Sequence, residues 1–382
     1  MTIAFFSNYF NHHQKPLAEA LNSEPNIKYT FVATTPIPEF RKALGYQQLN
    51  ADYVLDASAS EENKKIAEEL ALEADVAIFM GGAMEHYEIP RLKRKKLTFE
   101  YSERRLKRGY INLLSPNLIR HQYMYWRYGR SAPLYMLCSS AYTADDYYFM
   151  RSFINRCYKW GYFTKVEDFP LETLRKLDVS SIGSTPHIMW CARFLCWKHP
   201  ELPIKLARRL KDKGLNFKVD MFGSGEELER TKRLATQLDV NGEVSFLGNL
   251  PNEQILEQMQ EHDIFLFTSD KHEGWGAVLN EAMSNGCAVV ASNLIGSVPF
   301  LIEDGVNGLI FKSEDIDDLE KKIEILLINT NFRHTIQVNA IKTLRESWAP
   351  TIAAKRLSKL INYLSHNAMG TPFHNGPCSM AK

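Results

Sequence analysis

The chain is predicted to be an α/β protein of two domains, each a parallel sheet covered by helices. Three observations predict it. Short apolar runs alternate with segments of helical periodicity along the sequence, as in strand–helix–strand series. The 382 residues correspond to two domains at roughly 100–200 residues each. The series weakens once, between about residues 166 and 186, and then begins again.

In the first half, Ile3–Phe6 reads as the opening strand, Ser7–Gln14 as a polar loop, and Pro16–Leu21 as a helix with proline in its tolerated first turn. Val76–Met80, ending at Gly81-Gly82, Leu97–Tyr101 and Leu134–Ser139 read as further buried strands. Ser180, Ser181, Gly183, Ser184, Thr185 and Pro186 mark a linker. Beyond it, Ile188–Cys191, Phe217–Phe222, Val244–Leu247, Ile264–Thr268 and Ala288–Ala291 are expected strands. Pro200–Lys213 and Glu226–Leu238 are expected helices. The boundaries predicted are 1–180 for the first domain and 186–348 for the second. The tail 365–382, rich in Asn, Gly, Pro, Ser and His, is expected to be disordered.

Composition narrows the class. Hydrophobic residues make up 45% and charged residues 24%, as in ordinary globular proteins, so two sizeable cores can form. The formal net charge of +1 singles out no partner, but its distribution is uneven: residues 91–130 carry 12 Lys/Arg against 2 Glu. The six cysteines form no CxxC pair and sit mostly in apolar runs, which reads as reduced thiols in a reducing compartment. Cys191 and Cys196 with His187 and His199 fit no common zinc spacing, and no metal is assigned there. The N-terminus lacks a basic segment followed by an apolar core, so it reads as a strand and not a signal peptide. No run of about 18 apolar residues suggests a membrane-spanning helix.

Ligands of open parallel sheets bind beyond the carboxyl ends of the strands, so the strand-end loops of the second domain are the places to look. The first, Cys191–Lys198, offers Arg193 and Lys198, two cations suited to a diphosphate through a bidentate fork and a compact charge; the alternative is two solvated surface cations. The second, Gly223-Ser224-Gly225, stands between a strand and a helix, where glycines admit a ligand to the backbone. Leu228 occupies the third glycine position of a full GxGxxG. The third, Thr268–Ala282, is the most informative. Glu273 lies in the loop and Glu281 about a turn into the helix. Gly274 and Gly276, on either side of Trp275, allow a tight path, and the amides of Gly276, Ala277 and Val278 begin the helix facing an anion.

Taken in order, Arg193-x4-Lys198, Gly223-x-Gly225, Phe246-Leu247-Gly248, Glu273-Gly-Trp-Gly with Glu281-Ala-Met, and Glu303-Asp-Gly with Asn-Gly resemble the retaining GT-B glycosyltransferases of the large family four. The close match covers roughly 186–312; the first half matches in pattern only. The resemblance implies two Rossmann-like domains facing each other across a cleft, with the chain crossing at Ser347-Trp348-Ala349-Pro350 and a last helix, about 351–364, returning to the first domain. It implies a UDP- or GDP-sugar donor and no cofactor. Glu281 would hold the ribose hydroxyls and Glu273 the donor sugar. Arg193 and Lys198 would hold the diphosphate, aided by the amides around Gly276–Val278. Gly248, Asn249 and Leu250 would lie by the nucleobase. No metal is implied, since cations already meet the leaving group. Asp315-Ile316-Asp317 reads instead as charge at a helix start.

The chain departs from the family pattern at Ala192, where a glycine usually precedes the phosphate arginine. It also lacks a His after a middle strand of the first domain, where Phe99–Arg104 stands, and an N-terminal Gly-Gly loop, which Tyr9–Gln14 replaces. His12, His13 and Glu103 remain as candidate contacts to acceptor or phosphate. The basic block 91–130, interleaved with Tyr110, Tyr123, Tyr125, Trp126 and Tyr128, reads as a solvated face or as a surface for an anionic membrane or a lipid-linked diphosphate acceptor. It holds no recognised nucleic-acid module. The expected function is sugar transfer to a glycan or lipid-linked acceptor in bacterial surface polysaccharide synthesis, in the cytoplasm, either free or peripheral at the inner face of the cytoplasmic membrane. The rival readings are a nucleotide-sugar epimerase on the same fold and a non-catalytic sugar-nucleotide scaffold.

Overall fold

The computed structural model describes residues 1–39, 49–81, 85–166, 169–171, 185–367 and 369–381. Two compact units result, Met1–Lys165 with Ser347–Lys382, and Val166–Glu346. Ser180, Ser181, Gly183 and Ser184 of the expected linker, and Gly82, lie outside the described residues.

The first unit holds β1 (Thr2–Ser7), α1 (Lys15–Asn22), β2 (Lys28–Ala33), β3 (Val54–Asp56), α2 (Glu61–Glu73), β4 (Val76–Met80), α3 (Glu85–Lys93), β5 (Thr98–Ser102), α4 (Pro116–Arg127), β6 (Leu134–Cys138), α5 (Thr143–Phe149) and β7 (Cys157–Lys159). Its sheet runs β3-β2-β1-β4-β5-β6-β7, and every pairing is parallel. Burial on both faces explains why β1, β4 and β6 read as unbroken apolar runs and not as alternation. Ser60 caps α2 by accepting from the Asn63 amide at 3.1 Å. Part of the basic block turns out to be interior. The Arg91 guanidinium is fully buried and donates to the carbonyls of Ala71, Ala74, Asp75 and Leu97 and to Thr98. Arg104 pairs with Asp146 and Arg105 donates to the Tyr147 hydroxyl.

The second unit holds β8 (His187–Cys191), α6 (Glu201–Asp212), β9 (Lys218–Phe222), α7 (Leu228–Gln237), β10 (Val244–Gly248), α8 (Asn252–Glu261), β11 (Ile264–Phe267), α9 (Val278–Ser284), β12 (Ala288–Ser292), α10 (Val298–Leu301), β13 (Leu309–Phe311), α11 (Ile316–Ile328) and α12 (Thr330–Thr343). The sheet order is β10-β9-β8-β11-β12-β13, again all parallel. Its core joins Ile188, Trp190, Val219, Met221, Leu266 and Val290 of the strands to Leu202, Leu206 and Leu210 of α6 and Leu319, Ile323 and Leu326 of α11. Each such side chain contributes about 1.5–3 kcal/mol by leaving water. Asp315 caps α11 by accepting from the Asp318 amide, in keeping with its reading as helix-start charge.

The chain re-enters the first unit at Ser347. There α13 (Pro350–His366) buries Ala353, Ala354, Leu357, Leu360, Ile361 and Leu364 at helical spacing and packs against α1. The expectation that the tail is disordered is corrected by the structure. Lys159 donates to the Ser379 carbonyl at 2.8 Å and Cys378 to the Lys159 carbonyl at 2.8 Å. The segment thus lies antiparallel against β7, bridged at Tyr158 and Met380. Cys378 is fully buried. The backbone pairing, blind to side-chain composition, places a segment whose composition signalled disorder.

Candidate functional site in the second unit

The strand order of the second unit reverses between β8 and β11, the two central strands. A crevice at this reversal is where ligands of open parallel sheets bind. The loop after β8 carries Arg193 and Lys198, and the loop after β11 carries Glu273.

The two loops are tied together. The buried Trp190 indole donates to the Thr268 hydroxyl at 2.9 Å, and Thr268 donates to the Lys198 carbonyl at 2.6 Å. The Asp270 amide donates to the Trp197 carbonyl at 3.1 Å. The Lys198 ammonium then meets the Glu273 carboxylate directly, with both side chains nearly nine-tenths buried. The same carboxylate oxygen accepts from the Ser269 hydroxyl at 3.1 Å. The ammonium also lies 4.4 Å from the centre of the Trp197 ring, a cation–π contact. Arg193 is exposed.

Trp275 anchors the loop before α9. It is buried, donates to Asn280 at 2.9 Å, and its carbonyl accepts from Ser297 at 2.6 Å. Gly274 is buried beside it. Gly276 has φ +82°, and a Cβ there would stand 2.5 Å from the Phe267 ring. Only glycine closes this turn, after which Ala277 and Val278 open α9.

Glu281 sits in the first turn of α9 with 9% of its surface exposed. Burial pushes its carboxyl up to about 7, opposed by a 3.4 Å hydrogen bond from the Asn252 amide group. Cys191, at the end of β8, lies in the field of both groups. Its thiol is raised to about 12, mainly by burial, with Glu281 adding to the rise and Lys198 opposing it. Both charges are thus near enough to the end of β8 to act on Cys191.

The loops after β9 and β10 complete this edge. Gly223 and Gly225 adopt φ +129° and +152°, and a Cβ at either would meet the Ala192 carbonyl at 2.0 Å or the Phe194 carbonyl at 2.4 Å. These glycines let the Ala192–Phe194 backbone pass at contact distance. The Gly223 amide donates to the Gly248 carbonyl at 2.7 Å, and Asn249 donates to the Ser224 hydroxyl at 2.8 Å. Gly248, Asn249 and Leu250 thus adjoin the Gly223–Gly225 turn at the end of β10.

His12, His13 and Glu103 belong to the first unit, in the loops after β1 and β5. Burial lowers the His12 imidazole below its ordinary value. Glu103 is engaged by the Lys107 ammonium and the Tyr162 hydroxyl. His13 and Tyr162 line one small cavity with Phe5, Tyr29 and Tyr101.

Sequence reasoning missed three supporting residues. Asn252 reaches Glu281 across 29 positions, Thr268 links Trp190 to Lys198, and Ser269 shares the Glu273 oxygen. The start of α8 just beyond Gly248-Asn249-Leu250 was the available signal for Asn252; the hydroxyls carried none.

Residues 179–343 match the family model described as glycosyl transferases group 1. An uncharacterized glycosyltransferase of Methanocaldococcus jannaschii is 31% identical over 46% of this chain and 45% of its own length. The N,N'-diacetylbacillosaminyl-diphospho-undecaprenol alpha-1,3-N-acetylgalactosaminyltransferase of Campylobacter jejuni is 30% identical over 49% of this chain and 47% of its own. The chain therefore spans less than half the length of these curated relatives. Among solved structures, Anabaena HepE in complex with UDP superposes with a TM-score of 0.70 at 16% identity, over 96% of this chain and 100% of that one. This likeness shows the GT-B fold of two Rossmann-like units. The sequence match to the glycosyl transferases group 1 model is thus confined to the unit that carries Arg193, Lys198, Glu273 and Glu281.

Proposed function

We propose that this protein is a retaining, metal-independent glycosyltransferase that moves a sugar from a UDP- or GDP-sugar to a glycan or lipid-linked acceptor, in the synthesis of a bacterial surface polysaccharide. The observation that carries the proposal is the buried Glu281 carboxyl in the first turn of α9, on the same strand-end edge of the sheet as the Lys198–Glu273 pair. A carboxylate destabilised by burial gains from two ribose hydroxyl donors. The UDP in the Anabaena structure and the lipid-linked acceptor in the Campylobacter enzyme's name support the donor and acceptor classes.

The chemistry follows from the groups present. The bond between the anomeric carbon and the diphosphate oxygen breaks, and its electron pair leaves with the nucleoside diphosphate. Arg193 and Lys198 meet that charge, aided by the amides of Gly276–Val278 at the start of α9. Glu273 binds hydroxyls of the sugar, exchanging its contact with Lys198 for one with substrate. The acceptor hydroxyl attacks from the face the diphosphate leaves, and its proton passes to a phosphate oxygen. Two side-chain cations carry the role a divalent ion would otherwise take, which is the ground for proposing a metal-independent reaction.

We place the protein at the cytoplasmic face of the membrane. Ile119, Tyr123 and Trp126 lie exposed along one face of α4, near Arg120, Arg127 and Arg130 in sequence, and Tyr110, Ile111 and Leu114 are exposed just before it. Apolar and aromatic side chains among cations suit an anionic lipid surface. No helix of the described residues is long and apolar enough to cross a membrane.

The test is proton NMR of the product formed from an α-linked UDP- or GDP-sugar with a bacterial lipid extract as acceptor source. An α-linked product is expected, with turnover about 10²–10³ lower in Lys198→Ala. A β-linked product would overturn retention, and undiminished turnover in Lys198→Ala would overturn the site.

A further inference from the structure

The amino ends of the strands in the second unit hold a second cluster of chemistry-bearing side chains, at the edge of the sheet away from Arg193 and Glu273. His187 is the first residue of β8, Asp220 lies within β9, and His262 stands just before β11. One Asp220 oxygen, Oδ2, is 2.9 Å from His187 Nδ1 and 3.1 Å from His262 Nε2. One ligand atom from each residue falls within 4.8 Å of the others, the single group of three of this kind found among the described residues.

At His262 both ring nitrogens face acceptors. Its Nδ1 faces the Gln258 carbonyl at 2.6 Å. A carbonyl can only accept, so Nδ1 carries a hydrogen. Its Nε2 faces the Asp220 carboxylate, which when ionised also only accepts. A neutral imidazole has one hydrogen to give, so a second positive species must stand between Nε2 and Oδ2. A proton is one candidate and a metal cation the other. A ring that donates Nδ1–H to a backbone carbonyl and turns Nε2 toward a carboxylate has the orientation of metal-bound histidine. Both His262 and Asp220 are nine-tenths buried or more, where a carboxylate is favoured by a cation beside it.

We propose that His187, Asp220 and His262 bind one divalent transition-metal ion of the zinc type, joining β8, β9 and the α8–β11 junction of the second unit. Tetrahedral zinc with bonds of about 2.0–2.1 Å sets its nitrogen and oxygen ligands about 3.3 Å apart. The observed 2.9 and 3.1 Å need only a few tenths of an ångström of opening, and the two histidine nitrogens, within 4.8 Å of each other, close to the same spacing on binding. Two neutral rings and one carboxylate suit a dication, and the nearby Asp263 carboxylate, which accepts from the His187 amide at 2.9 Å, adds negative charge and fixes the start of β8. His187 is half-exposed, which leaves room for a water as fourth ligand. This cluster differs from the Cys191, Cys196, His187, His199 grouping weighed from sequence: β8 places His187 and Cys191 at its opposite ends.

The experiment uses the full chain, stripped with EDTA and titrated with Zn²⁺ by calorimetry and with Co²⁺ by visible absorption. One ion per chain is expected, with a four-coordinate Co²⁺ spectrum and weakening of about 10–100-fold or more in His187→Ala and Asp220→Asn. His187→Ala removes a half-exposed side chain at a strand end, so it keeps the test open if Asp220→Asn fails to fold. A His12→Asn/His13→Asn double variant controls for the consecutive histidine pair of the first unit and is expected to bind as wild type. The proposal is overturned by absence of stoichiometric binding in the wild type, or by binding that survives His187→Ala. In the first case His262 is an imidazolium paired with Asp220 and a proton fills the position. The readout is metal binding, so failure of the glycosyltransferase reading would leave its outcome intact.

Discussion

Acidification from pH 8 to pH 6 is expected to weaken donor binding through Glu281. Its carboxyl titrates at about 7 because burial penalises the ionised form. Ribose hydroxyls donate to the ionised form, so binding competes with protonation. The ionised fraction falls from about 0.9 at pH 8 to about 0.1 at pH 6, a loss near tenfold in affinity, or about 1.4 kcal/mol. An intact nucleotide sugar is the right probe, because its diphosphate has no terminal phosphate titrating near pH 6. Calorimetry in two buffers of different ionisation enthalpy should show release of about half a proton at pH 7. The same shift bears on stability with a definite sign. The folded value, about 7, lies above the ordinary 4.5, so the folded state holds more protons between these values. Stability of the unliganded protein therefore falls as pH rises through that window, by about 3 kcal/mol at most. Glu281→Gln removes this cost while removing a charged acceptor. It should raise the unliganded melting temperature at pH 8 by several degrees and still bind the donor more weakly. Donor affinity that is flat from pH 6 to 8, together with a Glu281→Gln variant that binds as wild type, would refute the reasoning.

Two further outcomes follow from the geometry. Gly225→Ala places a Cβ 2.4 Å from the Phe194 carbonyl at φ +152°, so the loop after β8 must shift; a loss of about 2–4 kcal/mol in denaturant unfolding is expected, with donor binding impaired further, and an unchanged midpoint would contradict the clamp. Full-length protein should sediment with vesicles containing anionic lipid at low salt and release as salt rises, more weakly in Tyr123→Asp/Trp126→Asp, whose side chains are 66% and 45% exposed. Failure to sediment at low salt would exclude the membrane surface.

Much of the second unit was legible because its physics is local. Ile264–Phe267 is buried on both faces and reads as an unbroken apolar run, and Gly276 is required where the chain passes the Phe267 ring. Long-range contacts were not legible. Nothing near Asn252 announces that it reaches Glu281, and the interior place of Arg91 comes from carbonyls at the ends of α2 and β4 that the sequence does not bring near it. The basic block was read as one surface, whereas Arg91, Arg104 and Arg105 serve the interior and Arg120, Arg127 and Arg130 face solvent. Tail order escaped for a different reason: composition counts side chains, while Lys159, Cys378 and Ser379 are joined by backbone groups that every such residue carries.

The central claim is that the edge of the second unit bearing Arg193, Lys198, Glu273 and Glu281 binds a nucleotide sugar. Thermal shift of the full chain with UDP, GDP, ADP, CDP and their sugars, on wild type and on Glu281→Ala, tests it most directly. A ligand at 100 times its dissociation constant adds about 2.7 kcal/mol, a shift readily measured. One nucleotide family is expected to stabilise the wild type, and Glu281→Ala to lose most of the effect. Stabilisation by none of them, or an equal shift in both proteins, would contradict it.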